Sequence, residues 1–563
     1  MTERIFEDLQ AALGRDMLAF APELFLCAGI VVLLLSRLIP FFDRNHLGWV
    51  SLVVTAGALI LSWLQWEREP GYDPRAGSGM AAFDLFSGLL VYDSFAIFIK
   101  MFLCGFAALV VFLTLLTGIP DREDSADFHV LLLGATVGMS IMASANHLLM
   151  IFIGIEMASV PSYAMSGFLK GRRASSEAAL KYVVYGGGAA GVMLYGMSLL
   201  AGAYGTGYLP DVVRFVAAGN LSGMAILGVL FVLIGIGFKL AAFPFHFWCP
   251  DVFEGAPAEV GAFLSVASKG AALALLARIT LGLAGLGNGA VDPDAGVLAA
   301  KEVLSTWDRV APYLVPTLSL FAVVTTTFGN LAAYMQTNLK RLLAYSTIAH
   351  AGFMMMGLAT LTREGAGAVL FYLVIYMFMN LGAFAVVALL RNTTGSEDLA
   401  DFRGLASRSP VLVVTLGIFM FSLLGLPPLA GFAAKFEIFS ALFSAAQRYA
   451  EARQPMLSYT LYAVVVAAGL NTVLSLFYYA KVLKVMALER NLEEVEGQPV
   501  REIPLPIAHG TYLCTLAAAL LVIFFALWDP LVQASTVRGV DSFTEIPAPP
   551  RESEQAQAKG AQP

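Results

Sequence analysis

Lys239, His246 and Lys269 stand within a hydrophobic sequence, in FKLAAFPFHFWCPDVFEGAPAEVGAFLSVASKGAAL, residues 238–273. A lysine inside an apolar helix costs several kcal/mol unless it is paired, hydrated or neutral, so it marks a function by default. Pro244 follows Lys239 closely. A proline there removes a backbone hydrogen bond and opens the helix at that depth. An ionisable group beside a broken helix is what an ion path through a bilayer requires. For Lys239 alone, the bland alternative is a side chain reaching back to the membrane surface, with Pro244 ending the helix. The further charges along the chain favour the path.

Glu156 lies in the middle of MIFIGIEMASVPSYAMSGF. A carboxylate at that depth must be protonated or paired with a cation. Lys239 is the expected partner, and opposing effects of burial and of a nearby charge would leave such a pair ready to gain or lose a proton. The plainer alternative is a static pair holding two helices together. Lys269, in FLSVASKGAALALL, has no charged neighbour on its own helix and is flanked by Ser265, Ala267, Ser268, Gly270 and Ala271. Small residues allow close helix packing and leave space for water. Lys435 follows a second break, Pro427-Pro428, in SLLGLPPLAGFAAKFEIF. Glu437, two residues on, points to a different helix face.

Secondary candidates surround these four. His246 is a possible relay between Lys239 and Lys269, and His350, in LLAYSTIAHAGFMMM, between Lys269 and Lys435, since imidazole titrates near neutrality. Ser346 and Thr347 would hold water beside His350. His246 donating to a carbonyl freed by Pro244 is the duller reading. Glu177 and Lys181 stand at i and i+4, the favourable order for a helical pair, which also fits a simple interfacial salt bridge. Asp251 and Glu254, after Pro250, are expected to shape a loop. The run Met354–Met356 fits core packing and not a copper site.

These residues need a scaffold, and composition names its class. Of the 563 residues, 58% are hydrophobic and 13% charged. Soluble domains hold about 25% charged residues, so the chain reads as an integral membrane protein in a lipid bilayer. A net charge of −7 argues against nucleic acid as a partner. Cys27, Cys104, Cys249 and Cys514 are far apart and read as small core residues. There is no dinucleotide, Walker, haem or iron–sulfur motif, so any redox cofactor belongs to partners.

At about 20 apolar residues per crossing, the chain holds about fourteen spans. They lie near 19–39, 47–66, 92–117, 128–145, 147–169, 177–203, 222–249, 258–286, 311–335, 341–361, 364–390, 411–446, 457–487 and 509–530. Residues 1–18 suggest a short interfacial helix without a cleavable signal. Lysine and arginine gather in alternate loops: Arg37 and Arg44; Lys170, Arg172 and Arg173; Lys340 and Arg341; Arg391, Arg403 and Arg408; Lys481, Lys484 and Arg490. With positive residues inside, both termini fall on the periplasmic side. Spans four to eight and nine to thirteen form two blocks of five, each with a broken helix as its fourth member. Five is odd, so the second block must be inverted, a plan common among transporters. The expected fold is all-α and polytopic. Residues 1–125 would hold accessory helices, 126–290 the first repeat, 305–490 the inverted second, 491–533 a last helix, and 534–563 a polar disordered tail.

FKLAAFPFHFWCPDVFEGAP, SVASKGAAL, IGIEMASVPSYAM, EAALKYVVYG, KRLLAYSTIAHAGFM and LLGLPPLAGFAAKFEIF together resemble the antiporter-like membrane subunits of bacterial NADH:quinone oxidoreductase (respiratory complex I), and among them the subunit N family. The match covers about 145–490. It implies that Glu156 and Lys239 are a coupled pair, Lys269 the central lysine and Lys435 the terminal one, with Glu177 and Lys181 near proton uptake. Related subunits usually place histidine at the position of Lys269, or glutamate at that of Lys435, or add a long lateral helix. The resemblance also implies a bacterial inner membrane and partnership with the other membrane and peripheral subunits of complex I. Those partners would carry NADH, FMN, iron–sulfur clusters and quinone, this chain none. The expected function is proton translocation driven by electron transfer elsewhere, along Glu156, Lys239, His246, Lys269, His350 and Lys435. The rival expectations are a cation/proton antiporter subunit of an Mrp-type complex and a purely structural spacer.

Overall fold

The computed structural model describes residues 13–37, 47–67, 82–120, 124–220, 222–286, 296–490, 503–541 and 543, with backbone alone for 296–306. Helix dominates because a chain crossing lipid must satisfy its backbone groups within itself. Among the described residues the one sheet is a hairpin of β1 (Phe83–Leu85) and β2 (Leu90–Tyr92).

Three accessory helices come first: α1 (Ala21–Ser36), α2 (Gly48–Glu67) and α3 (Ser94–Thr117). A short helix, Leu13–Ala19, meets α1 at 73°. It holds the end of the interfacial helix expected over 1–18; residues 1–12 lie outside the described ones. The first block contains α4 (Ser125–Ser144), α5 (Leu148–Ser166), α6 (Arg173–Tyr204), a short α7 (Leu209–Ala217), α8 (Gly223–Leu240) and α9 (Trp248–Gly255). It ends with α10 (Ala258–Leu283), which contains a π-helical turn at Leu264–Ser268. The second block contains α11 (Gly296–Ala333), α12 (Leu339–Leu358), α13 (Arg363–Thr394), α14 (Pro410–Leu424), α15 (Ala430–Glu451) and α16 (Pro455–Leu488). A final helix, α17 (Ile507–Arg538), runs beyond the expected 509–530, so residues 534–538 are helical; 544–563 lie outside the described residues.

Among the described residues eleven helices are long and apolar enough to cross a membrane, or twelve if Leu13–Ala19 and α1 count as one bent span. The expected spans at 341–361 and 411–446 do not meet that measure. The first corresponds to α12, whose opening turn carries Lys340 and Arg341. The second is divided into α14 and α15.

Both expected breaks are present. α8 stops at Leu240, where Ala241 adopts a left-handed conformation (φ 55°), and Pro244 lies in the turns before α9. α14 stops at Leu424, where Gly425 has φ 89°, and Pro427-Pro428 precede α15.

Ion pairs gather helix ends on one basic face. Lys170, in the turn after α5, meets Asp124 before α4 at 2.7 Å. Arg341 in the first turn of α12 meets Asp251 of α9 at 2.7 Å, and Lys481 of α16 donates to Tyr334 O, just past α11, at 3.1 Å. α4 therefore starts at the basic face and α11 ends there, so the blocks are inverted relative to each other. α10 is buried along its length and α13 over most of it, whereas α16 presents Val466 and Leu470 outward. α10 and α13 thus form the protein interior, and Lys269 lies about midway along α10.

Candidate functional site

Lys239 is the last-but-one residue of α8, buried to 1% exposure, and its Nζ donates to Ser159 Oγ on α5 at 3.0 Å. Ser159 lies one turn beyond Glu156 on α5. The direct Glu156–Lys239 pair expected from the sequence does not form: no ion pair within 4.0 Å joins them, and Glu156 Oε1 has no hydrogen-bond partner. The reason is the register of α5, which brings the serine to the ammonium and leaves the carboxylate one turn away.

Lys269 begins the second α-helical part of α10, directly after the π turn. It is 0% exposed, and its Nζ has no hydrogen-bond partner. Its ammonium lies over the Trp248 ring at 4.6 Å and the Phe253 ring at 5.8 Å. A desolvated contact of this kind contributes about 2 kcal/mol. Trp248 also joins two parts of the site: its indole N–H donates to Phe238 O at 3.0 Å, a carbonyl at the end of α8 that also accepts from Ala241 N at 3.0 Å. Tyr182 of α6 stacks on the same indole at 4.4 Å between centroids. Trp248 was not anticipated; an aromatic immediately past a proline break was the only signal for it.

Lys435 lies in the second turn of α15, 4% exposed, and donates to Leu424 O at 2.8 Å. That carbonyl is at the C-terminus of α14, where the helix dipole favours a cation. Phe353 of α12 faces the same ammonium at 4.7 Å. Gly425 makes this approach possible, because a Cβ there would lie 2.9 Å from Lys435 Cδ and its φ disfavours any side chain. Glu437, on another face, accepts from Trp528 Nε1 at 2.8 Å.

The two histidines differ. His350 accepts or donates at both ring nitrogens, to Tyr372 OH at 2.7 Å and Tyr479 OH at 3.2 Å, and Tyr479 OH meets Ser346 Oγ at 2.5 Å. Thr347 accepts from Tyr376 OH at 3.0 Å. A neutral imidazole has one donor and one acceptor, so two hydroxyl partners suit it as a relay. His246 instead packs among Phe243, Phe247 and Phe328, and its Nδ1 has no partner. It bridges neither lysine, because the turns after Pro244 carry it toward α11, where Thr325 Oγ1 accepts from Phe243 N at 3.1 Å.

Glu177 and Lys181 do pair, at 2.8 Å, and Lys181 also reaches Asp251 at 2.7 Å. Arg341 meets both Asp251 and Glu254 at 2.7 Å. The acidic residues expected to shape a loop therefore lie on α9 and tie α6 to α12. Desolvation pushes the Asp251 carboxyl up, but bonds from Lys181 and Arg341 outweigh it and hold it below the usual carboxylate range.

Several buried charges escaped sequence reasoning because their partners lie far away in the chain. Lys100 and Glu23 pair at 2.8 Å, each 1% exposed. Arg278 binds Asp93 at 2.7 Å and 3.1 Å and donates to Ala143 O. Arg391 approaches Glu259 at 3.6 Å, and Lys340 pairs with Glu397 at 2.9 Å. Of the cysteines, Cys104 and Cys249 are buried as expected, while Cys27 and Cys514 are exposed. Met354, Met355 and Met356 are core residues. Among the described residues no group of three or more His, Cys, Asp or Glu side chains could hold a metal ion.

The profile of the family described as NADH:quinone oxidoreductase/Mrp antiporter, TM, matches residues 145–291 and 284–450. NADH-quinone oxidoreductase subunit N of Anaeromyxobacter sp. is 39% identical over 537 residues, covering 92% of this chain and 96% of the relative. NADH-quinone oxidoreductase subunit N 2 of Sorangium cellulosum is 39% identical over 523 residues, covering 91% and 95%. A chain of respiratory complex I from Thermus thermophilus superposes with a TM-score of 0.69 at 28% identity, over 92% of this chain and 99% of that one. A chain of the Mrp complex from Dietzia sp. superposes with a TM-score of 0.74 at 18% identity, over 93% and 97%, a likeness of fold.

Proposed function

Because the chain belongs to the subunit N family of NADH-quinone oxidoreductases, within the antiporter-like membrane subunits, we propose that it moves protons across a bacterial inner membrane within the assembled oxidoreductase. Its partners are the other membrane and peripheral subunits, and NADH, FMN, iron–sulfur clusters and quinone reside there. This chain is the translocating part and holds no redox centre. Its basic face is cytoplasmic and both termini are periplasmic. Residues 126–290 and 305–490 act as paired inverted units behind accessory helices.

One observation carries the reading. Three lysines, Lys239, Lys269 and Lys435, are buried inside helices, each at a break or a π turn, and none is in an ion pair. A buried cation without a counter-ion is not a stabilising device. Such groups suit a path where charge arrives and leaves. Glu156 and Lys239 act on each other through space without a direct bond, Trp248 connects the first break to Lys269, and His350 with its tyrosines lies on the way to Lys435. Charge displaced at one lysine alters the proton affinity of the next, which is how electron transfer in a partner can drive the chain.

Alanine replacements of Lys239, Lys269 and Lys435 in the assembled complex test this in proteoliposomes with a pH-sensitive dye. Each should lower proton movement by more than about tenfold, since one positioned proton-transfer group accounts for about a hundredfold or more. Unaltered pumping by all three would leave only a spacer role. Sodium efflux by the chain in an antiporter-deficient strain would instead support the Mrp-type reading.

A further inference from the structure

A second line of polar groups runs along the seam of α10 and α13, outside the sequence of lysines. It begins near the basic face with Glu259, 0% exposed, whose two carboxylate oxygens have no hydrogen-bond partner. Arg391 of α13 stands 3.6 Å away, beyond hydrogen-bond distance, and its Nη1 has no partner either. Farther along the seam Asn380 Nδ2 donates to Ser265 Oγ at the π turn, while Asn380 Oδ1 is unpartnered. Ser268 Oγ and Lys269 Nζ complete the line, both buried and unpartnered. Native interiors pair more than about nine-tenths of their buried polar groups. Here five residues of this one seam, Glu259, Arg391, Asn380, Ser268 and Lys269, each hold an exception, between the basic face and the central lysine. Their chemistry fits a file of water, since each group retains the donor or acceptor capacity that a water molecule uses.

We propose that Glu259 is a protonatable gate that supplies Lys269 from the basic face through this file, a deepening that rests on the proton-relay reading above. A hydronium ion from the basic face gives its proton to the Glu259 carboxylate and leaves as water. Glu259 then releases the proton to the water file, and neutral Lys269 accepts it at Nζ to become ammonium, with Glu259 restored as carboxylate. Ten residues separate the two groups, about 15 Å at 1.5 Å per residue, so no direct transfer is available and the serines and Asn380 position the file. Arg391 holds the empty gate. Around Glu259 the other charged groups are Lys340 of α12, paired with Glu397, and Arg391 itself. An arginine close to the carboxylate but not bonded to it can move without first breaking a short hydrogen bond. The π turn keeps Ser265 directed at α13 while Lys269 turns to the Trp248 ring.

The test uses the assembled complex in proteoliposomes, reading protons moved per electron and complex abundance on a native gel. Glu259→Gln should lower proton movement on the order of tenfold at normal abundance. Glu259→Asp should recover most of it, and Asn380→Leu should lower it as well. Wild-type pumping by Glu259→Gln would overturn the gate, and so would reduced abundance with unchanged protons per electron, which is the behaviour of a structural clamp. If Glu259→Gln does not assemble, Ser265→Ala decides: reduced proton movement supports the file, and an unchanged value removes it. Lys269→Ala in the same assay separates the two readings. Its failure beside a fully active Glu259→Gln sinks only the gate, whereas full activity of both sinks the relay.

Discussion

At the scale of single residues, Trp248 has two duties that substitution can separate. Its N–H gives Phe238 O a second hydrogen bond at the first break, and its ring faces the Lys269 ammonium. Trp248→Phe keeps an aromatic face and loses the donor. Phe238 O keeps its bond from Ala241 N and loses one of two, which costs about 0.5–1.5 kcal/mol, so the variant should unfold at slightly lower temperature in detergent while retaining much of its proton movement. Trp248→Ala should lose both. Thermal unfolding followed beside dye-monitored pumping distinguishes the cases; equal loss of activity in the two variants would show that the ring does not matter. The lysines were legible in the sequence because charge within an apolar run is conspicuous. Trp248 was not, since an indole in an apolar run is ordinary until its N–H is seen to meet a helix end. Glu259, Arg278 and Lys100 also lie in expected spans. Their partners, Arg391, Asp93 and Glu23, are remote in the chain, and only the fold brings them together.

At the scale of elements, the two breaks use lysine differently. Lys239 precedes its break, and Lys435 follows its own and reaches back to the carbonyl of Leu424. Gly425 holds that geometry with φ 89°. Gly425→Ala adds a methyl group 2.9 Å from Lys435 Cδ in a backbone region unfavourable to side chains. The conformational part alone costs about 1–2 kcal/mol. Proton movement should fall further than stability does, because the displaced group is the terminal lysine. Pumping and melting temperature measured on the same preparation check this, and a parallel decline in both would contradict it. The broken helices were readable from proline and glycine, whose backbone effects are local. The π turn in α10 was not, because Leu264–Ser268 contains no proline and its widening has no one-residue signature.

At the scale of the whole molecule, buried ion pairs hold the accessory helices to each other and to the repeats. Lys100 and Glu23 join α3 to α1, and Asp93 at the head of α3 joins Arg278 of α10. Removing one partner of a buried pair typically costs about 3–5 kcal/mol, whereas replacing both with apolar groups can be nearly neutral. Lys100→Met should therefore reduce the amount of folded chain more than the double variant Glu23→Leu with Lys100→Met. Detergent-solubilised yield and melting temperature measure the difference, and a double variant worse than the single one would argue that the pair has a role besides cohesion. The inverted plan was legible from odd-numbered blocks and matching breaks. The count of crossings was less so, since charged α12 and divided α14–α15 obey packing more than hydropathy.

The end of the described chain returns to its beginning. Trp528 bonds Glu437, two residues from the terminal lysine; Arg538 lies over Trp66 at 4.2 Å; Asp541 pairs with Arg363; and Phe543 meets Phe95 edge-on at 5.1 Å. The polypeptide thus buckles like a belt on the side away from the basic loops. α17 and the residues after it tie α15, at Glu437, to the accessory helices, at Trp66 and Phe95.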